Sequence, residues 1–179
     1  GANGNVGLEL ASKSPPDGYT IVLSSPVIAL SPHLYTKLNY DPNKDLAPVS
    51  LVGAVRNVLV VHPSVPARTV RDLVLLARKS PGRLNYGSGG IGTTTHLAPE
   101  LLKSLEKLDI VHIPYKGAAP AIVDLLAGNI QMRFSSVVPV LPHVKSGRLR
   151  GIAISSVKRY SPLPDVPTMK EAGANGTEV

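Results

Sequence analysis

Leu84-Asn85-Tyr86-Gly87-Ser88-Gly89-Gly90-Ile91-Gly92-Thr93-Thr94-Thr95-His96 decides how this chain folds. A short apolar strand, Leu84 to Tyr86, runs into a glycine-rich turn, and the turn opens a helix predicted to reach about Leu105. Upstream, Val70, Leu73, Val74 and Ala77 give the i, i+3, i+4, i+7 stripe of an amphipathic helix over Thr69 to Lys79. Thr69 is its cap and Pro81-Gly82 its stop. Downstream come a strand at Asp109 to Ile113, a helix from about Ala119 to Ala127 stopped by Gly128, and a strand at Ile130 to Phe134. A helix near Leu141 to Ser146 and a strand at Leu149 to Ser155 complete the series. Strands separated by single helices predict an α/β fold with a mostly parallel sheet, whose ligands lie at the carboxyl ends of the strands.

The flanks are less regular. The chain begins with a short helix, Val6 to Ser12, and the turn Pro15-Pro16-Asp17-Gly18, followed by a strand at Tyr19 to Leu23 that ends at Ser24-Ser25-Pro26. Ser31-Pro32-His33-Leu34-Tyr35 reads as a helix start. A proline-punctuated stretch, Asp41-Pro42 to Ala47-Pro48, leads to Val49–Val52, and Asn57 to His62 is a second apolar strand. Val157 to Val179 is turn-rich, and Gly176-Thr177-Glu178-Val179 reads as a strand about to begin. The first helix has no strand before it and the last strand nothing after it, so both ends read as cut from something larger.

The chain has 179 residues, 43% of them apolar, enough for one sizeable core or two small ones. No apolar run approaches the ~20 residues of a membrane helix. There is no cysteine, which removes disulfides, thiolate nucleophiles and cysteine-ligated metals. The charge of +7 is uneven. Residues 1–60 carry four basic and four acidic residues and 156–179 three of each, while 61–155 carry twelve basic against five acidic. A central unit with all the excess attracts anions, or presents a solvated basic face. With no Trp, one Phe and six Tyr there are few platforms for stacking bases, and no nucleic-acid partner is expected.

Gly87, Gly89 and Gly92 satisfy G-x-G-x-x-G after a strand and before a helix, with Asp109 about 20 residues on, the outline of a dinucleotide site. Asp109, however, begins its strand, whereas a ribose-binding acid belongs at the strand's end, where Pro114-Tyr115-Lys116 stand. Gly87 and Gly92 also fit a phosphate loop, but Thr93-Thr94 replaces the required Lys-Ser/Thr. Under either reading small residues let backbone N–H groups approach an anion, and the helix dipole adds about half a positive charge. Ser88, Thr93 and Thr94 add hydroxyls, an environment suited to a carboxylate. The plain alternative is a tight turn that binds nothing. Pro99 is awkward in this helix and predicts that its regular bonding begins late.

No catalytic residues, metal site or cofactor are expected. Tyr86 stands where a nucleophile elbow around Ser88 needs glycine. His33, His62, His96, His112 and His143 are scattered without ligand spacing and read as structural. His96, in the first turn after the glycines, is the exception, placed to touch ligand, orient the loop or cap the helix. Lys116 reads as a solvated lysine.

Together these segments resemble the Bug family, the TctC-like receptors of tripartite tricarboxylate transporters. The resemblance is carried by Pro16-Asp17-Gly18-Tyr19-Thr20, Pro32-His33-Leu34-Tyr35, Tyr40-Asp41-Pro42 and Asp45-Leu46-Ala47-Pro48-Val49-Ser50. It continues through Leu84-Asn85-Tyr86-Gly87-Ser88, Gly92-Thr93, His96-Leu97-Ala98 and His112-Ile113-Pro114-Tyr115-Lys116-Gly117. Leu141-Pro142-His143, Gly147-Arg148-Leu149-Arg150 and Leu163-Pro164-Asp165-Val166-Pro167-Thr168 complete it.

The resemblance implies a periplasmic binding-protein clamshell of type II that performs no chemistry and delivers a small di- or tricarboxylate to membrane transporter subunits. It implies a partial first domain at 1–60, a complete anion-binding second domain at 61–155, and a return segment at 156–179. It also implies a ligand set: Ser88, Gly89, Gly92, Thr93, Thr94 and His96 on the loop, Ser25 facing it from the first domain, and Gly117, Ala118 and Ser135 lining the cleft. Relatives often carry an acid just after the Phe134 position, where this chain has Ser135-Ser136; its loss implies a preference for plain diacids over ligands bearing an amine. They also carry a strand, loop and helix before Gly1 and further elements after Val179. The apolar segments at 19–23 and 57–61, without those neighbours, are expected to be covered in a homodimer or by a partner segment. The competing functions are a nucleotide-using oxidoreductase fragment and a non-transport interaction module.

Overall fold

The structure is a computed structural model that describes residues 4–174 and 176. The strand expected to begin at 176–179 therefore lies almost wholly outside the described residues. The chain divides into two compact units, Gly1–Ala54 and Val55–Val179.

The second unit is built on a five-stranded sheet. Its elements are β1 (Asn57–Val61), α3 (Val70–Lys79), β2 (Asn85–Ser88), α4 (Thr94–Glu106), β3 (Val111–Pro114), α5 (Ala118–Ala127), β4 (Met132–Ser136), α6 (Val137–Lys145) and β5 (Arg150–Ser155). Strand order is β3-β2-β4-β1-β5. β2 is parallel to β3 and β4, as the alternating pattern predicts, but β1 runs antiparallel to both β4 and β5. The expected mostly parallel sheet is therefore mixed. β1 enters between β4 and β5 without a preceding crossover helix in this unit. All five of its residues are buried between β4 and β5, so 57–61 is covered within the chain and not, as expected, by a second copy or partner segment. Its apolar run therefore carries no directional signal.

Both faces of the sheet are covered. Leu59, Val61, Tyr86, Met132 and Phe134 pack with Val70, Leu73, Val74 and Ala77 of α3 and Ala98 and Leu102 of α4. Val58, Val60 and Ile154 pack on the other side with Ile122 and Leu125 of α5 and Val137 and Val140 of α6. Each fully buried Val, Leu or Phe contributes about 1.5–3 kcal/mol. α3 has the predicted stripe and a full capping box: Asp72 N–H donates to Thr69 Oγ1, and the Asp72 carboxylate accepts from Thr69 N–H. α4 begins at Thr94 despite Pro99, contrary to the late start expected. The missing amide removes only the bond to the Thr95 carbonyl.

Residues after β5 pack with this second unit. Thr168 bridges Ile154 in parallel, Ile154 N–H donates to Pro167 O (2.8 Å), and Met169 N–H donates to Ile154 O (2.9 Å). Met169 and Ala174 are buried beside α3 and α4.

The first unit holds α1 (Asn5–Ser12) and α2 (Val27–Leu34) around Leu8, Val27 and Tyr40. Asn5 Oδ1 accepts from Ser31 Oγ (2.8 Å) and Tyr40 Oη (2.7 Å), pinning the two helices to the chain beyond them. Ser31-Pro32 does not start a helix. It lies in the second half of α2, where the single Ser31 hydroxyl proton is shared between Asn5 Oδ1 and Val27 O (2.8 Å). Residues 19–23, expected as a strand, form none: Tyr19 is 92% and Ile21 81% exposed. Residues 49–52 are likewise exposed and unpaired. A strand exists through its neighbour's N–H and C=O groups, and no described strand lies in this unit.

Candidate functional site

The site grows from the end of β2. Tyr86 and Gly87 point to opposite faces. A side chain at Gly87 would collide with Ile130 Cδ1 and sit 3.1 Å from Tyr115 Cε2, so glycine is required for α5 to close on the sheet. Past Ser88 the chain turns through Gly90 (φ 131°) and Gly92 (φ 84°), conformations that L side chains rarely adopt.

The turn is held by its own side chains. The buried Ser88 Oγ lies 2.7 Å from His112 Nε2 and accepts from Gly90 N–H (3.1 Å). Thr95 Oγ1 accepts from Gly89 N–H (3.0 Å), Thr93 Oγ1 donates to Gly90 O (2.7 Å), and His96 Nδ1 accepts from Gly92 N–H (3.2 Å). His96 therefore orients the loop. His112 stacks on Tyr86 with centroids 4.7 Å apart and meets the His96 ring at 4.5 Å. Tyr86 Oη donates to Glu100 (2.6 Å), which also pairs with Lys103 (2.6 Å).

Burial pushes both imidazoles below their ordinary range; for His112 the neighbouring His96 adds to the effect. Burial pushes the Tyr86 hydroxyl up, and its bond to Glu100 adds to this. Glu100 is raised by burial, but the hydrogen bonds from Lys103 and Tyr86 outweigh it and hold the carboxyl low. Sequence reasoning classed His112 as structural. Its tie to Ser88 follows from register, since Tyr86 pairs across the strands with His112. The Ser88 hydroxyl is buried and accepts from Gly90 N–H, and among the described residues no carboxylate bonds His112.

Ser88, Gly89, Gly92, Thr93, Thr94 and His96 are thus gathered in one turn. Gly117 and Ala118 adjoin it: Gly117 N–H donates to Gly89 O (3.2 Å), and Ala118 N lies 3.8 Å from the position of a Gly89 Cβ. Ser135 is buried at the end of β4. Ser25 belongs to the first unit, where its Oγ accepts from Val27 N–H at the start of α2 (3.4 Å). Asp109, the would-be ribose ligand, precedes β3 at the other end of the sheet, where its carbonyl accepts from Gly82 N–H (3.0 Å).

The helix amino ends divide by position. α3 begins at the end of the sheet opposite the glycine turn and is fully capped. α4, α5 and α6 begin at the carboxyl ends of β2, β3 and β4. None of the three has a side-chain cap bond or an acidic residue in its first turn. The three dipoles point to this edge, but at α6 the first amide is occupied, Val137 N–H donating to Arg56 O (3.1 Å), and Pro139 has none. Two shallow depressions, one with Ser64, Ser80 and Arg83 and one with Pro63, Leu149 and Arg150, lie at the opposite end.

An α/β domain with three helices starting at the carboxyl edge of its sheet has, by class, the fold of periplasmic binding proteins; that of BugD superposes with a TM-score of 0.88 at 31% identity, over 100% of this chain and 60% of that one. The chain belongs to the TctC family, the tripartite tricarboxylate transporter family receptors, whose profile matches residues 1–179. It is 38% identical over 175 residues to Protein BugT of Bordetella pertussis, a match covering 97% of this chain and 54% of the relative. An R. palustris protein whose structure holds adipate superposes with a TM-score of 0.89 at 37% identity, over 100% of this chain and 60% of that one. MatC from Rhodopseudomonas palustris with bound malate gives 0.83 at 27% identity, over 100% and 61%. The chain spans about half the length of the curated relatives it matches.

Proposed function

We propose that this protein is a periplasmic receptor that captures a small di- or tricarboxylate for the membrane subunits of a tripartite tricarboxylate transporter, without chemistry of its own. The observation that carries this reading is the contrast between α3, with its own acid at its amino end, and α4, α5 and α6, which have none. Relatives with adipate and malate support a carboxylate as the anion. Thr94 and Ala118 offer it amides at the helix ends, Thr93 and Gly117 flank them, Ser88, Gly89, Gly92 and His96 hold the turn, and Ser135 contributes a hydroxyl. The missing acid after Phe134 favours plain diacids over amino diacids. Calorimetric titration with succinate, adipate, malate and aspartate tests the reading. Diacid binding with aspartate weakest is expected; no binding of any acid overturns it, and tighter aspartate binding overturns the preference.

The exposed apolar residues Tyr19, Ile21, Leu23, Val49, Leu51 and Val52 support a second reading for the first unit, that a second copy covers them. Light scattering that shows a monomer at micromolar concentration would contradict it.

A further inference from the structure

Arg133 lies on β4, paired with Val60 of β1, and is 1% exposed. Its Nε and Nη1 have no hydrogen-bond partner. Two residues on, the buried Ser135 pairs with Val58, and its Oγ is also unpartnered. Residues paired across antiparallel strands share a face, so Arg133 and Ser135 lie on the Val58 and Val60 side, against α5 and α6.

Among the described residues no side chain forms an ion pair or hydrogen bond with Nε or Nη1 of the guanidinium. The one acid of α5, Asp124, is taken by Tyr115 Oη (2.6 Å) and Asn129 Nδ2 (3.1 Å). α6 carries no acid, only His143 and Lys145 in its last turn. Burial pushes Arg133 down to about 10, so it is charged at neutral pH. Unpaired buried charges are costly and are rarely kept without a partner. The partner is wanted close to the functional edge: Ser135 immediately precedes Ser136, the N-cap of α6, and Arg133 lies about 7 Å further down the strand, within the reach of its own side chain.

We infer that Arg133, with Ser135 Oγ, sets the charge specificity of the carboxylate site, its counter-ion being the second acidic group of a dianionic ligand. The inference rests on the proposed carboxylate-binding function and adds to it a residue and a criterion. The helix amino ends attract any monoanion; a buried fixed cation rewards the ligand that brings another negative charge. The basic excess of the central segment thereby has an internal member, distinct from its solvated lysines.

The test compares diacids with monoacids of equal length, succinate with butyrate and adipate with hexanoate, by calorimetry in the wild-type protein, Arg133→Met and Ser135→Ala. Arg133→Met is expected to lower the ratio of diacid to monoacid affinity by about tenfold or more, to leave monoacid binding nearly unchanged, and to raise the melting temperature of the ligand-free protein. Arg133→Gln, neutral and more polar, gives the same ratio if Met does not fold. An unchanged ratio in either variant, above all with a lowered ligand-free melting temperature, assigns Arg133 to packing and overturns the inference alone. A wild-type protein that binds neither class of acid overturns the functional reading and this inference with it.

Discussion

Ser88 Oγ stands 2.7 Å from His112 Nε2 while accepting the Gly90 amide at 3.1 Å, so one buried hydroxyl ties β2 to β3 and sets the first bend of the glycine turn. Ser88→Ala leaves the Gly90 N–H and a ring nitrogen without a partner, and a loss of about 1–3 kcal/mol follows. The denaturation midpoint should fall with the m-value unchanged. A variant as stable as wild type would show that the turn does not depend on this bond.

The two imidazoles predict a pH dependence of definite sign. Burial lowers both His96 and His112 in the folded state, whereas the unfolded chain takes up protons at the ordinary value, about 6.5. Below that pH the unfolded state binds more protons, so stability falls as the pH drops from about 6.5 toward the folded values and is unaffected by these groups above it. Protonation of His96 Nδ1 also breaks its bond from Gly92 N–H. Melting temperatures between pH 8 and pH 5 check this, and a His96→Gln, His112→Asn double variant should flatten the curve in that window. The depressed carboxyls, such as Asp72, held down first by the Arg68 amide, act only at lower pH.

The closure of α5 on the sheet yields a packing prediction. Gly87→Ala places a methyl against Ile130 Cδ1 and Tyr115, and overpacking of this kind costs about 1–3 kcal/mol. Ile130→Val removes the colliding carbon, so the double variant should recover part of the loss, and a double-mutant cycle measures the coupling. Purely additive effects would place the strain elsewhere.

The parts legible in the sequence are those whose cause is local. The α3 stripe of Val70, Leu73, Val74 and Ala77 and its Thr69 cap are short-range facts, and they reappear in the structure unchanged. The glycine turn was also readable, because Gly90 and Gly92 adopt backbone angles that few other residues take. The direction of β1 was not, since a run buried on both faces looks the same in either orientation. Residues 19–23 have β propensity but no described strand beside them, and propensity without a ladder leaves a coil. His112 and Arg133 were missed for a common reason. One acts through cross-strand register and the other through the absence of any facing carboxylate, and neither is visible in sequence spacing.

A control separates helix capping from ligand binding. Thr69→Ala removes the α3 capping box and should cost about 1 kcal/mol, within the usual 0.5–2. Diacid affinity should be unchanged, since α3 starts at the other end of the sheet. A weakened titration would mean that the two ends are coupled.

The bare amino ends of α4 and α5 make stability and binding respond in opposite directions to one change. An acid in the first turn of a helix is stabilising by about 0.3–1 kcal/mol when exposed. Thr94→Asp and Ala118→Asp should therefore raise the melting temperature of the ligand-free protein, because neither helix carries such a group now. The same carboxylate occupies the N–H groups and cancels the dipole that the ligand would use, so diacid affinity should fall. Had these ends been left uncapped for no purpose, the substitutions would stabilise without cost to binding. A rise in stability with a loss of affinity is the signature of a helix terminus reserved for an external anion.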